Sequence, residues 1–166
     1  MTDSIQFHGQ EKITQWLNKV LKETKDITPL MREIGAILEL NTKERINAGI
    51  GVDDKPWQES WRARVQGGTT LRDTSRLYNS ITSRVEGGGK KISTGTNVLY
   101  ARLMHFGGTI KPKSGKFLTF KTPTGGWVRV KSVTIKPRPY LGVSVDDSQD
   151  ILFTIEEYLE KVLKDA

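Results

Sequence analysis

The amino-acid sequence predicts an α+β fold, in which helices at both ends of the chain pack on an antiparallel sheet of two hairpins. Apolar residues recur at helical spacing near the start of the chain and again at its end. Between these regions, residues 81–96 and 111–138 alternate polar and apolar side chains around glycine-rich turns, a pattern typical of β-hairpins. A chain of 166 residues can bury one hydrophobic core, so we predict a single domain over residues 1–166.

Two amphipathic helices are predicted after a loose N-terminus at residues 1–10. The first spans roughly residues 10–24 and aligns five apolar side chains on one stripe, namely Ile13, Trp16, Leu17, Val20 and Leu21. The second spans residues 29–48, follows a Thr-Pro helix-start signal and stops at Gly49, a residue suited to the end of a helix. Its distal half, residues 41–47, is nearly all polar, so we expect it to project from the core or to meet a partner.

Residues 49–70 form the least regular part of the sequence, and we predict a flexible loop there. Its Asp-Asp-Lys-Pro run consists of residue types that favour a turn, and a glycine pair lies near the end of the segment. Loops of this length are usually functional or mobile. Trp57 and Trp61 stand in this polar setting, and two interpretations are open: the indoles tuck under the body, or they wait exposed for a partner.

Five further elements follow the loop. We predict a short helix over residues 71–81, a hairpin over 81–96 turned by three glycines, and a helix over about 98–106. A second, long hairpin with one basic face is predicted over residues 111–138. The final helix starts near residues 146–148, with acids in its first turn, where the helix dipole favours negative charge.

The net charge of +7 is unevenly distributed along the chain. The second hairpin has no acid and eight basic residues: Lys111, Lys113, Lys116, Lys121, Arg129, Lys131, Lys136 and Arg138. Such a segment attracts nucleic acid, a membrane surface or an acidic protein surface, or it is simply a solvated face. Phe117, Phe120 and Trp127 lie among these cations, as in surfaces that bind phosphates and stack on bases. The same alternation can instead send the aromatic rings into the core.

The sequence shows little that resembles catalytic or metal-binding machinery. It has no cysteine, which excludes disulfides, thiolate nucleophiles and cysteine-based zinc sites. Of its two histidines, His8 lies in the loose start, and His105 lies at a helix end, where we expect a structural role. No companion ligands stand at a usable spacing, so we predict neither a metal site nor a cofactor.

Phosphate-loop and acid–base chemistry are also not predicted. The Gly-Gly-Gly-Lys-Lys run lacks the P-loop spacing, because Arg84 stands at the required first glycine and Lys91 at the required Ser or Thr. Three carboxylate pairs lie in turns or on solvated helix faces: Asp53-Asp54, Asp146-Asp147 and Glu156-Glu157. We therefore predict that the protein is not an enzyme. No apolar run could span a bilayer and no signal-peptide pattern is present, so we expect the protein in the cytoplasm, without membrane contact.

Six short motifs in a fixed order resemble the phage virion morphogenesis family, over most of the chain. They are Met31-Arg32-Glu33-Ile34-Gly35 with Thr42-Lys43-Glu44-Arg45-Ile46, Asp53-Asp54-Lys55-Pro56-Trp57, Leu71-Arg72-Asp73-Thr74-Ser75-Arg76-Leu77, Thr96-Asn97-Val98-Leu99-Tyr100-Ala101, His105-Phe106-Gly107-Gly108-Thr109 and Pro137-Arg138-Pro139-Tyr140-Leu141-Gly142. The resemblance implies a structural protein of tailed phages or prophages, acting without catalysis in tail completion or head–tail joining at the neck.

The resemblance also implies partners. It suggests a ring-type homo-oligomer made in the bacterial host cytoplasm, contacting connector or portal-side proteins, or tail-terminator or tail-tube proteins, in the neck of the virion. Weak, non-specific contact with DNA is compatible with it, and a nucleic-acid-binding protein that uses the basic hairpin is the alternative function. The candidate partner-interface residues are Trp57, Trp61, Arg45, Lys111, Lys113, Lys116, Arg129 and Lys131.

Overall fold

The structure is a computed structural model that describes residues 11, 13–15, 18 and 26–164. Its helices are α1 (Thr28–Ala48), α2 (Trp61–Gln66), α3 (Arg76–Asn79), α4 (Ala101–Phe106) and α5 (Val145–Lys164). Its strands are β1 (Thr82–Glu86), β2 (Lys91–Gly95), β3 (Gly108–Ile110), β4 (Leu118–Lys121), β5 (Trp127–Val130) and β6 (Val133–Ile135). The predicted α+β class is confirmed. The helix predicted over residues 10–24 lies mostly outside the described residues.

The strands of the described chain form three separate two-stranded antiparallel pairs: β1–β2, β4–β5 and β3–β6. The first two are the predicted hairpins. The second hairpin is shorter than predicted, because it covers only residues 118–130. Beyond it the chain continues as β6, which pairs with β3 in the register Gly108↔Ile135. This third pair is not predicted from the sequence, since its strands are three residues long and far apart in the chain.

The chain divides into two compact units, which are described separately. Unit 1 comprises the described parts of residues 1–44, 81–95 and 141–166, and unit 2 comprises residues 45–80 and 96–140. The prediction of a single domain stays a prediction. No helix within the described residues has the length and apolar character needed to cross a membrane.

The core of unit 1 is formed by α1 and α5. Its buried side chains are Ile27, Leu30, Met31, Ile34 and Leu38, with Ile151, Ile155 and Leu159 from α5. The β1–β2 hairpin packs closely on α1 at Gly35, where an added Cβ would lie 2.8 Å from Ile92 Cδ1. The Ser83 hydroxyl donates to the Gly35 carbonyl over 2.9 Å, and the Ser83 amide donates to a carboxylate oxygen of Glu39. A glycine at position 35 thus lets the sheet approach the helix backbone.

The core of unit 2 surrounds Tyr140, which is fully buried. The Tyr140 hydroxyl donates to the Ala101 carbonyl over 3.3 Å, and its own carbonyl accepts from Arg45 Nε over 3.4 Å. Leu77 is buried, but α3 is shorter than the helix predicted over residues 71–81. Leu71 and Ser75 have φ angles of 68° and 59°, in the left-handed region, so a continuous helix cannot run through them.

The polar distal half of α1 is where the sequence prediction fails. Thr42 in unit 1 is 1% exposed, and Arg45 and Ile46 in unit 2 are 5% and 0% exposed. The prediction that residues 41–47 project from the core is therefore wrong for these three side chains. They continue the buried stripe of α1 at helical spacing, and the bond from Arg45 to the Tyr140 carbonyl satisfies part of its guanidinium.

Candidate interaction surfaces

All the candidate residues predicted from the sequence belong to unit 2, and the structure separates them by exposure. Arg45 is buried, which does not favour its role as an interface residue, and that role stays a prediction. Its guanidinium instead donates a hydrogen bond to the Tyr140 carbonyl in the core of unit 2. The other candidates lie on two segments, the Trp57/Trp61 segment and the β4–β5 hairpin.

The two tryptophans of residues 49–70 have different environments. Trp57 is half-buried, and its Nε1 is buried without a hydrogen-bond partner among the described residues. Trp61 is 45% exposed. Each of the two open interpretations thus holds for one residue: Trp57 tucks into unit 2, and Trp61 presents much of its ring to solvent.

The orientation of Trp61 follows from the start of α2, a helix that the sequence analysis does not predict. The Ser60 hydroxyl accepts a hydrogen bond from the Ala63 amide over 3.2 Å, and the Ser60 amide donates to the Thr70 hydroxyl over 3.0 Å. Ala63 is buried, so the helix turns its face at position 61 outward. A serine three residues before the capped amide is the local signal that could have revealed the helix.

Arg62 holds the end of α2 against the following turn. Its guanidinium donates to the Thr69 carbonyl over 2.7 Å and to the Gly67 carbonyl over 3.3 Å. Its Nε lies 3.6 Å from Asp73 Oδ1. Residues 60–73 are therefore tied together, and α2 presents Trp61 on an ordered support.

The β4–β5 hairpin carries an apolar face and a basic, aromatic face. Leu118 pairs with Val130 and Phe120 with Val128, and all four side chains are half-buried. On the other face Lys121 lies opposite Trp127, and all its residues are exposed, namely Thr119, Lys121, Trp127 and Arg129. We call these four residues the hairpin face.

The aromatic residues that lie among these cations differ in their exposure to solvent. Phe120 is half-buried on the apolar face, whereas Trp127 is 72% exposed. The Arg129 guanidinium lies 4.3 Å from the centroid of the half-buried Phe117 ring, a cation–π contact that holds it in place. Lys111, Lys113, Lys116 and Lys131 are exposed and form no ion pair within the described residues.

Unit 2 also exposes apolar side chains that are not among the candidate interface residues predicted from the sequence. Leu99 is 99% exposed, Phe106 is 47% exposed and Tyr100 is 39% exposed. No local sequence signal distinguishes them from the buried Val98 and Ala101 that flank this turn. Of the ten exposed large hydrophobic residues in the described chain, seven belong to unit 2. Apolar surface is therefore concentrated on the unit that also carries the basic hairpin.

Unit 2 has an open cleft of about 400 Å³ whose lining includes Arg62, Arg76, Asp73 and Arg138. Burial lowers the pKa of Arg138, whose guanidinium donates to the carbonyls of Gln58 (3.2 Å) and Lys136 (3.4 Å). The bond to Gln58 connects the Trp57/Trp61 segment to the chain after β6, whereas the bond to Lys136 is local. Arg138 therefore acts as a structural tie.

His105 lies at the end of α4 in an aromatic setting. Its ring makes edge contacts with Phe106, at 4.4 Å between centroids, and with Tyr140, at 5.3 Å. Burial lowers its pKa, so the neutral imidazole is favoured. Within the described residues no group of His, Asp or Glu side chains gathers at metal-binding spacing. Unit 2 exposes both aromatic rings and cations, and on the hairpin face the exposed Trp127 lies opposite the exposed Lys121.

The sequence model of the phage virion morphogenesis family matches residues 9–160, and the chain belongs to this family. It is also similar to the "Mu-like prophage FluMu G protein 2" of Haemophilus influenzae, with 29% identity over 161 residues. That alignment covers 96% of this chain and 98% of the Haemophilus protein. No solved structure matches the chain. The family assigns the chain a structural role in virion assembly.

Proposed function

We propose that this protein completes the phage tail and joins it to the head at the neck, by protein–protein contact and without catalysis. Membership of the virion morphogenesis family supports the assembly role, and the Mu-like prophage relative supports a phage or prophage source. The observation that carries the proposal is the number of aromatic residues that unit 2 exposes, namely Trp61, Tyr100, Phe106 and Trp127. Aromatic side chains and arginine are the residues that anchor protein interfaces.

The proposed partners are other copies of this chain, in a ring, and the neighbouring neck proteins. A ring encircling the channel would contact a connector or portal-side protein on one side and a tail-terminator or tail-tube protein on the other. The Trp57/Trp61 segment and the β4–β5 hairpin are the surfaces that we assign to these contacts. The protein is made in the host cytoplasm and takes up its position at the neck during assembly.

Electron microscopy of particles assembled without this protein tests the proposal. We expect full or nearly full heads and separate tails, or particles that lose their tails during purification. Supplying the wild-type gene in trans restores joined virions, which controls for effects on neighbouring genes. Normal, infectious virions produced in the absence of the protein would exclude the assembly role.

A second function, non-specific nucleic-acid binding, is favoured by the hairpin face itself. Trp127 offers a stacking surface opposite Lys121, and Lys111, Lys113 and Lys116 form no ion pair among the described residues. In that case the affinity for duplex DNA falls steeply as salt is raised, since bound cations release counterions from phosphates. Charge reversal at Lys111, Lys113 and Lys116 would abolish the binding.

A further inference from the structure

Helix α5 has an acidic outer face centred on an exposed aromatic ring. Phe153 is 61% exposed, although the opposite side of the same helix forms the core of unit 1. The exposed acids around it stand at helical spacing, on the same side: Asp146, Asp150, Glu156, Glu157 and Glu160. We call Phe153 and these five acids the α5 face.

Most of the charge on the α5 face is not neutralised within the chain. Asp150 accepts a hydrogen bond from Asn41 over 3.0 Å, and Glu160 lies 3.6 Å from Lys164. Asp146, Glu156 and Glu157 form no ion pair with any described residue. An exposed phenylalanine ringed by carboxylates has the composition of an interface: an apolar anchor and a charged rim.

The hairpin face of unit 2 is the counterpart of the α5 face, because it has a similar composition and the opposite charge. Trp127 is the exposed ring, and Lys121 and Arg129 are the cations beside it, with Lys131 directly after β5. Cross-strand pairing fixes Lys121 next to Trp127. One surface thus offers an aromatic anchor with a negative rim, and the other an aromatic anchor with a positive rim.

The same opposition holds for the two units as wholes. Among the described residues, unit 1 has 12 acidic and 7 basic side chains, and unit 2 has 4 acidic and 15 basic ones. Two copies that meet through like units repel each other, whereas unit 1 of one copy attracts unit 2 of another. The charge pattern therefore favours a head-to-tail contact between copies over a symmetric one.

We propose that the α5 face of one copy docks on the hairpin face of a second copy. The contact is heterologous, so a pair of copies keeps one unused α5 face and one unused hairpin face, and the contact repeats until a ring closes. This inference rests on the proposed assembly function and names the surfaces through which the protein contacts itself. Nucleic acid would satisfy the hairpin cations, but it would leave Phe153 and the acids of the α5 face uncovered.

Charge-swap variants of the full chain, studied by analytical ultracentrifugation, test this docking. One variant reverses the helix charge with Glu156→Lys, Glu157→Lys and Glu160→Lys, which takes the five acidic positions of the α5 face from a net charge of −5 to +1. The other reverses the hairpin charge with Lys121→Glu and Arg129→Glu. We expect the wild type to self-associate in low salt and to dissociate as salt is raised. Each variant alone should self-associate about tenfold more weakly or worse, because both of its faces then carry the same sign.

Restoration and a matched control make the test specific. An equal mixture of the two variants should associate again, and so should a single chain carrying all five substitutions. Glu33→Lys with Glu44→Lys reverses two exposed acids of α1 that do not belong to the α5 face, and should leave self-association unchanged.

Three results would overturn the docking. They are a wild-type protein that stays monomeric in low salt at high concentration, a control that weakens association as much as the helix variant does, and a mixture that fails to reassociate. A hairpin variant that loses DNA binding while its mass distribution stays that of the wild type would also overturn it. Any of these can occur while particles lacking the protein still fail to join heads to tails, so the two proposals fail separately.

Discussion

Ser144 and Asp147 exchange hydrogen bonds at the start of α5. The Ser144 amide donates to Asp147 Oδ2 over 2.7 Å, and the Asp147 amide donates to the Ser144 hydroxyl over 3.1 Å. This reciprocal pair satisfies backbone donors that a helix start leaves without partners. Asp147 Oδ1 also accepts from Asn41 of α1 over 2.8 Å. The cap therefore both starts α5 and ties it to the helix that shares the core of unit 1.

Replacing the capping serine should destabilise the protein without altering its surface charge. We expect Ser144→Ala to lower the free energy of unfolding by about 1 kcal/mol, the usual cost of losing a capping hydroxyl. Urea denaturation followed by circular dichroism measures the change. The control is Ser114→Ala at an exposed position before β4, which should leave stability nearly unchanged. Equal stability of the two variants would show that the cap contributes nothing.

Gly107 and Gly67 provide a matched pair for separating backbone strain from steric overlap. Their backbones are nearly identical, with φ/ψ of 71°/−176° and 77°/−178°, a region that side chains avoid. A Cβ at Gly107 would lie 2.8 Å from both the Ile135 carbonyl oxygen and the Pro137 nitrogen, whereas one at Gly67 meets nothing within 4 Å.

Alanine at these two glycines should therefore have unequal costs. We expect Gly67→Ala to cost about 1–3 kcal/mol of stability through backbone strain alone. Gly107→Ala should cost at least roughly 1 kcal/mol more, because β6 and the following proline must shift to admit the methyl group. Denaturant midpoints of the two variants against the wild type provide the comparison. A Gly107→Ala protein as stable as Gly67→Ala would contradict the close approach.

The parts of the fold that the sequence predicted well depend on local patterns. The bounds of α1 follow from a helical stripe with a Thr-Pro start and a terminal Gly49, which has a φ of 71°. The β1–β2 hairpin follows from alternation around three glycines, each with positive φ. Local chemistry was sufficient because neighbouring residues alone determine these elements.

The parts that could not be predicted depend on contacts between distant residues. The β3–β6 pair brings together two three-residue strands, which are too short for alternation to be recognised. From the sequence alone, Arg45 is expected to be a surface cation. Its burial depends on a bond to the carbonyl of Tyr140, 95 positions away in the chain. For the candidate surfaces, the sequence identified Trp61 and the hairpin lysines. It did not identify Leu99 or Phe106, because exposure is a property of the packed chain.

Tyr140 should make stability fall at high pH. Burial, with a smaller effect of the Tyr100 phenol, raises the pKa of Tyr140 from 10.0 to about 12. Because the folded value exceeds the unfolded one, its contribution to stability is complete below pH 10 and is lost as the pH rises through 12. Between those limits the wild type should lose roughly 2 kcal/mol more than Tyr140→Phe, whose stability is already lower at neutral pH by about 1 kcal/mol.

Denaturation of both proteins across this alkaline range measures the difference, and the titration of lysines cancels in the comparison. Parallel pH curves for wild type and Tyr140→Phe would show that Tyr140 ionises as it does in an unfolded chain.

His105 should make stability fall on the acid side. Burial holds the pKa of its imidazole below the ordinary 6.5, so the fold favours the neutral ring. A depressed folded pKa contributes stability that is present above pH 6.5 and is lost as the pH falls toward the folded value. The wild type should therefore be destabilised more steeply than His105→Gln below pH 6.5, in a comparison that cancels the titration of the carboxylates. A steeper loss in the variant would contradict the burial of a neutral ring.

Removing Trp57 should mainly lower the stability of the protein, whereas removing Trp61 should mainly lower the yield of infectious particles. Trp57→Ala should cost about 2 kcal/mol or more of stability, because a half-buried indole leaves a cavity in unit 2. Trp61→Ala should change stability by less than about 1 kcal/mol, since 45% of that residue is already exposed. If Trp61 anchors a partner in the neck, its loss should nevertheless lower the yield of infectious particles about tenfold or more when the variant complements a deletion.

Stability and complementation must therefore be measured on the same variants. Trp61→Phe serves as the conservative control and should retain most of the particle yield, because it keeps an aromatic ring at the position. A stable Trp61→Ala protein that supports a wild-type yield would remove α2 from the assembly surface, and would leave the hairpin and α5 faces as the contacts to map. A Trp61→Ala protein that unfolds as readily as Trp57→Ala would instead mean that its ring is part of the core of unit 2.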